Sequence, residues 1–411
     1  MVRSMKKCLV FLVVLSIFFG CKKKESLLLS AGVWRVELNV MDGQKLPFNF
    51  KVKKSDDGEY VMEIFNAEEV IEVDEIQIEN DSIRIKTPVF EGYLIGAFTE
   101  NTMEGKFIKE SLDRVVPFTA VFDTDTRFDV KTLTKKDVSG IWETKFNPGL
   151  EEEYIAKGIF EQVDGEVVGT FETTTGDYRY LDGVMDGDSL KVSAFDGAHA
   201  FLFAAQVTDS TLNGAFYSGN HSKELFTAKR NESYMLPSTD SLTFIKDGYD
   251  KLEFSFPDAD GKMISLADER FKNKVVLVQI MGSWCPNCLD ETKFYTKYLK
   301  ENPANDLEIV ALAFEYAKTK EKAFNSIERL TDRIGVEYPF LLAQYGTSDK
   351  EEAQKKLPML NHVLSYPTTI FIDKKGDVRK IHTGFNGPAT GKKYEEFQKD
   401  FNVFVKDLMA E

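Results

Sequence analysis

The alternation of apolar and polar positions divides the chain into three stretches. Between residues 30 and 124, and again between 136 and 232, short runs alternate strictly: Ile76-Gln77-Ile78, Ile83-Arg84-Ile85, Leu190-Lys191-Val192. A period of two belongs to a strand with one face buried and one face in water. Turn pairs such as Asp57-Gly58, Asp164-Gly165 and Asp186-Gly187 separate the runs. From Tyr249 onward the pattern changes. Val275-Val276-Leu277-Val278-Gln279-Ile280, Leu307–Phe314 and Thr369-Ile370-Phe371-Ile372 are nearly continuous apolar runs, as expected of strands covered on both faces. Helical patterns occupy 289–302, 319–334, 349–357 and 394–408. Strands alternating with helices predict a mixed sheet flanked by helices.

The first two stretches repeat each other. Gly32-Val33-Trp34 matches Gly140-Ile141-Trp142, and Asp81-Ser82-Ile83 matches Asp188-Ser189-Leu190. Met103-Glu104-Gly105 matches Leu212-Asn213-Gly214, and Phe118-Thr119-Ala120 matches Phe226-Thr227-Ala228. The offset stays at about 108 residues, which marks a tandem duplication. The expected fold is therefore multidomain: two tandem antiparallel β-barrel or sandwich repeats (30–124 and 136–232), a polar linker with Pro237 (233–248), and an α/β domain (249–411). Each repeat is expected to be filled by its own side chains rather than to hold a ligand.

Composition narrows the function. The 411 residues are 43% hydrophobic and 29% charged, which allows large cores. A net charge of -15 and the lack of a basic stripe argue against a nucleic-acid partner. At the N-terminus, Arg3, Lys6 and Lys7 precede an apolar stretch over 9–19 that is short for a membrane span. It closes on Gly20-Cys21, which resembles a lipobox. That resemblance implies a signal peptide over 1–20 and cleavage before a lipid-bearing Cys21. Residues 21–29 would be a tether, and the protein would sit in the periplasm, anchored to the inner or outer bacterial membrane. A plain secretory signal or an uncleaved anchor is the alternative.

Of the four cysteines, Cys8 would leave with the signal and Cys21 would carry lipid. Only Cys285 and Cys288 would remain in the mature chain. A bridge closing so small a loop adds little stability, so the economical reason for the pair is redox chemistry. Met281-Gly282-Ser283-Trp284-Cys285-Pro286-Asn287-Cys288 follows an apolar strand and opens a helix. Unpaired amides and the positive end of the macrodipole favour a thiolate at such a helix start, and Pro286 suits the first helical position. The position implies an accessible Cys285. Half a zinc site is the other use of Cys-x-x-Cys. It would need two more ligands, and His199, His221, His362 and His382 show no ligand spacing. No metal and no organic cofactor is expected.

The stretch from Tyr249 to Glu411 resembles the TlpA/ResA-like branch of the thioredoxin superfamily. The resemblance rests on Phe256-Pro257-Asp258 with Asp260-Gly261-Lys262, on Trp284-Cys285-Pro286-Asn287-Cys288, and on Tyr366-Pro367-Thr368-Thr369-Ile370-Phe371-Ile372-Asp373. It implies a thiol-disulfide oxidoreductase in which Cys285 attacks a substrate disulfide and Cys288 resolves the mixed disulfide. Pro367 would be cis, and Trp284, Tyr366 and Pro367 would contact substrate. Glu291, one turn after Cys288, would handle protons, whereas Gln279, where thioredoxin keeps a buried Asp, cannot ionise. The implied activity is reduction of disulfides in exported proteins, with re-reduction by a membrane electron donor. The alternative is a ligand- or partner-binding lipoprotein whose β domains carry the main function. Every recognised redox element lies in 249–411, so the β repeats would bind a partner or set orientation.

Overall fold

The computed structural model describes residues 28–55 and 57–411. The signal peptide, Cys8, Cys21 and most of the tether lie outside these residues. Among the described residues, no helix is long and apolar enough to cross a membrane.

Both β-rich stretches form antiparallel barrel-like sheets. In the second, eight strands pair each with the next, and the last, Ser222–Arg230, pairs with the first, Gly140–Phe146, so the barrel closes. The first has nine strands. Its consecutive strands Glu69–Val73 and Glu75–Glu79 pair outward and not with each other, which leaves a seam. The duplication is visible in side-chain detail. Trp34 donates its indole N–H to Ser30 O at 3.0 Å, and Trp142 donates to Val138 O at 2.8 Å. Both rings are fully buried, and each indole finds an acceptor four residues upstream, as a buried polar handle requires.

The second barrel is filled. Phe146 has the rings of Tyr154, Phe171, Tyr178, Phe203, Phe216 and Phe226 around it, with centroids between 4.8 and 6.3 Å. Alternation puts these rings inward and leaves the intervening positions for water. The two barrels are joined by more than a tether. Phe195 of the second barrel stacks on Phe48 of the first at 4.1 Å, and Asn66 exchanges two hydrogen bonds with the Phe195 backbone. Arg127, in the connection between the barrels, is buried and pairs with Asp182 at 3.2 Å.

The C-terminal domain has a five-stranded sheet in the order Phe340–Gln344, Leu307–Phe314, Val275–Met281, Thr368–Ile372, Val378–Thr383. The first three strands run parallel, and Thr368–Ile372 pairs antiparallel with both of its neighbours. Four helices accompany it: α1 (Pro286–Glu301), α2 (Lys320–Ile334), α3 (Lys350–Lys356) and α4 (Lys392–Ala410). All seven residues of Val275–Met281 are buried, which explains why its sequence shows no alternation. α2 shows the usual one-sided burial, with Ala323, Ile327 and Leu330 inward. The segment 239–246 is docked on this domain: Lys246 N donates to Met359 O at 2.8 Å, Asn361 N donates to Phe244 O at 2.9 Å, and His382 meets Asp240 at 3.1 Å.

Phe146→Ala should destabilise the protein by about 3–5 kcal/mol, read as a lower denaturant midpoint. A loss below about 1 kcal/mol would mean that the barrel interior is not packed as described.

Candidate active site

The central strand delivers the chemistry. Beyond Met281 the chain turns through Gly282-Ser283-Trp284, and this turn is pinned to the neighbouring strand. Ser283 donates its backbone N–H and its hydroxyl to Glu315, each at 2.7 Å, and Trp284 donates its indole N–H to Phe314 O at 2.9 Å. Gly282 lies against the Trp284 ring, and a side chain there would collide with it. Cys285 is the N-cap of α1 and Pro286 its first residue. The helix therefore begins three residues earlier than periodicity indicated, because a thiol replaces the usual capping hydroxyl.

Cys288 N–H donates to Cys285 Sγ at 3.3 Å, and the Cys285 thiol points at Tyr366 O at 3.4 Å. The Tyr366–Pro367 bond is cis, as the resemblance implies. Trp284 meets Tyr366 edge-on at 5.6 Å. So Trp284, Cys285, Cys288, Tyr366 and Pro367 converge, and only Cys21 among the sequence-predicted site residues lies outside the described chain. Both active-site cysteines are free thiols. Cys288 is fully buried, and burial pushes its thiol well above the ordinary range, with the Glu291 charge adding to the effect.

Glu291 is buried completely, not a solvated acid of the helix surface. It accepts hydrogen bonds from Gln279 Nε2 at 2.8 Å, Tyr295 OH at 3.0 Å and Thr369 OH at 2.9 Å. Those donors favour the carboxylate, yet burial outweighs them and raises its pKa to about 7. Gln279 thus holds the proton-bearing group that it cannot itself be. Glu315, which sequence reasoning missed, is a second buried carboxyl raised by burial to about 7. Its only sequence signal was an acid ending a buried strand beside the motif strand. Lys350 was also missed. Burial lowers its pKa, and the nearby Cys285 charge opposes that shift.

The accessible Cys285 expected from its helix-start position is not observed. It is 7% exposed, its sulfur lying against Tyr366 O and the Cys288 amide, and the second barrel docks beside it. The loop between strands Glu166–Thr173 and Leu181–Asp186 reaches the active-site face. Asn287 Nδ2 donates to Asp177 O at 3.3 Å, Ser365 donates to Thr175 O at 3.1 Å, and Gly387 N donates to Asp177 Oδ2 at 2.6 Å. A side chain on Gly176 would strike the Asn287 amide. Arg179, on the same loop and buried, forms ion pairs with Asp290 of α1, with Glu69 of the first barrel and, at 3.7 Å, with Asp196. Burial works to lower the Arg179 pKa, but these carboxylates outweigh it and hold it well above its ordinary value. Burial would likewise raise Asp196, yet His199 and Arg179 hold it down to about 2. The assignment of every redox element to 249–411 therefore leaves out a neighbour: residues 173–179 are in contact with the motif.

Residues 247–397 match the Redoxin family. The thioredoxin-like protein YneN of Bacillus subtilis (strain 168) is 31% identical over 140 residues, 34% of this chain and 73% of its own length. The thiol-disulfide oxidoreductase ResA of the same organism is 27% identical over 140 residues, 34% of this chain and 69% of its own. A solved thiol:disulfide interchange protein of the thioredoxin family, from Chlorobium tepidum TLS, is 20% identical and covers 40% of this chain and 99% of that one, with a TM-score of 0.29.

The folded protein keeps the Glu291 proton up to about pH 7, whereas an unfolded glutamate releases it near 4.5. Its contribution to stability is therefore greatest below about pH 4.5 and falls as pH rises through about 7. Glu291→Gln stays uncharged throughout. Its stability relative to the parent should rise by about 1–3 kcal/mol between about pH 5 and about pH 8 in denaturant titrations. A difference that is flat over that range contradicts the raised carboxyl.

Proposed function

The chain belongs, through its C-terminal domain, to the thioredoxin-like thiol-disulfide oxidoreductases, and from that premise we propose that it reduces disulfides of exported proteins while lipid-anchored at Cys21 to a bacterial membrane. The observation that carries the redox assignment is the capped pair: Cys285 at the start of α1 with the Cys288 amide on its sulfur. A thiolate at Cys285 is met by that amide, by the unpaired amides of the first turn and by the positive end of the helix. Its attack on a substrate disulfide forms a mixed disulfide and releases one substrate thiolate. Cys288 then attacks the Cys285 sulfur, closes the Cys285–Cys288 disulfide and frees the second thiol. For that it must lose a proton that burial holds tightly, and Glu291, carrying its own proton only up to about pH 7, is the nearby acceptor. Trp284, Tyr366 and Pro367 would form the wall against which the substrate lies.

Reduction, rather than oxidation, is supported by the cost of a thiolate at Cys288. A dithiol whose second sulfur resists ionisation gives up its electrons more readily than one with two stabilised charges. The pair must then be re-reduced by a membrane dithiol donor. ResA, similar over most of its length, bears the name of a thiol-disulfide oxidoreductase, which supports the same class of activity. The basic N-terminus and Gly20-Cys21 support the anchor and a periplasmic location.

The reduced full chain should reduce a disulfide-bonded protein such as insulin. Cys285→Ser should lose at least about a hundredfold in rate, and Cys288→Ser should accumulate a mixed disulfide on Cys285. A mixed disulfide that accumulates on Cys288 in the Cys285→Ser variant, with none on Cys285 in Cys288→Ser, would reverse the two roles. Glu291→Gln should also lower the Cys288 thiol pKa, because a negative neighbour disappears, and should slow resolution.

Cys21→Ser should leave the exported protein without lipid, measured by incorporation of a labelled fatty acid in cells. Unchanged labelling of that variant would remove the anchor from the proposal.

A further inference from the structure

The docked second barrel covers one flank of the motif, and a cavity lies on the other. On the Asn287 and Ser365 side, the 173–179 loop is in direct contact with the motif. On the other side, past Trp284, lies a cavity of about 210 Å³ with walls from both barrels and from the redox domain. Water's share of liquid volume is about 30 Å³ per molecule, so this cavity holds one or two amino-acid side chains and no folded protein.

Its lining is unlike the rest of the molecule. In a chain of net charge -15, the lining side chains include Lys109, Arg114, His199 and His221 and no aspartate or glutamate. The ammonium of Lys109 is buried and donates to the Ala198 carbonyl at 2.8 Å. Asp196 and Glu91 stand behind it, but neither forms an ion pair with it. Arg114 has no ion-pair partner among the described residues, and Tyr316, Lys109 and His221 are near enough to feel its charge. Burial, and after it the charges of Arg114 and Lys109, push the His221 pKa down to about 4. His199 is already paired with Asp196. Lys109 and an Arg114 without an ion pair therefore face a small cavity whose other wall is Trp284, tilted against Tyr316 with ring centroids 5.5 Å apart, and Trp284 precedes the attacking cysteine.

We propose that this cavity is the binding subsite for an acidic peptide segment carrying the disulfide to be reduced, its carboxylate held by Arg114 and Lys109. The inference rests on the redox reading above. A half-buried cation without an ion pair is costly, and a carboxylate supplies Arg114 with the missing partner through charge-assisted hydrogen bonds. Lodged there, the segment places its disulfide past Trp284. Cys285 Sγ bonds to the near sulfur, the S–S bond breaks, and the far sulfur leaves as a thiolate. Cys288 Sγ then displaces the near sulfur from Cys285. Two electrons pass to the substrate and the enzyme ends as the disulfide.

The test is single-turnover oxidation of the pre-reduced full chain by three small disulfides at low ionic strength. Glutathione disulfide is an acidic peptide, cystamine is cationic, and hydroxyethyl disulfide is neutral. Glutathione disulfide should react at least about tenfold faster than cystamine. Arg114→Glu should erase or invert that preference, read as the ratio of the anionic to the cationic rate with the neutral disulfide as each protein's own reference. Equal rates for the anionic and cationic disulfides in the parent chain would overturn the subsite. So would an Arg114→Glu variant that slows all three alike, since that is the mark of a structural role. A parent chain inert toward the neutral disulfide overturns the redox reading itself, and this inference with it.

Discussion

One guanidinium, that of Arg179, fixes how the three domains meet. It sits out of water among Asp290, Glu69 and Asp196, one carboxylate from each domain. Arginine suits this place for a physical reason. Its planar fork presents five donors in fixed directions and stays charged under burial, where a lysine would tend to lose its proton. Asp290 lies two residues after the resolving cysteine, so the pairing sets the position of α1 relative to both barrels. The contacts of Asn287 and Ser365 with the 173–179 loop follow from that placement. So does the cavity beside Trp284, which exists only while the barrels stand where Arg179 holds them.

The same contact explains what was legible in the sequence and what was not. The central strand could be read because seven residues buried on both faces have no polar alternation to interrupt them. The four helices could be read from their periodicity, and the thiol pair with its proline from motifs of a few residues. The duplication was legible because equivalent tryptophans solve the same local problem, an indole that needs an acceptor four residues upstream. Asp290 resembled an ordinary acid of an exposed helix face, and Glu291 stood out only through its spacing from Cys288 and the family resemblance. Their burial is decided by Arg179 and Thr369, separated from them in sequence by 111 and 78 positions. Glu315 and Lys350 converge on the motif in the same way, through the fold alone. The accessible thiol was inferred from helix geometry alone, which does not place Tyr366 against the sulfur or the second barrel's loop beside the motif.

The two β copies diverge where this matters. In the first, strands Tyr60–Asn66 and Glu69–Val73 are joined by a tight hairpin with Ala67 at φ 47. In the second, the corresponding connection lengthens into 174–180, and this excursion carries Thr175, Gly176, Asp177 and Arg179 to the redox domain. The first copy contributes Glu69, beside its short hairpin, to the same charge cluster. A repeat that began as two equal barrels has thus been divided between a long connection that touches the active-site face and a short one that braces it.

Gly176, Gly384 and Gly387 line the seam so closely that a methyl group on any of them would meet Asn287, Thr175 or Asp290. Such a fit constrains descent as well as mechanics. The C-terminal domain has relatives that align with only about a third of this chain, yet here it is not an interchangeable cassette. A recombination event that placed it on a foreign carrier would lose the partner of Asp290 and bare the flank beside Asn287. A side chain added on one side of the seam meets atoms of the other, so each domain limits the residues its neighbour can carry.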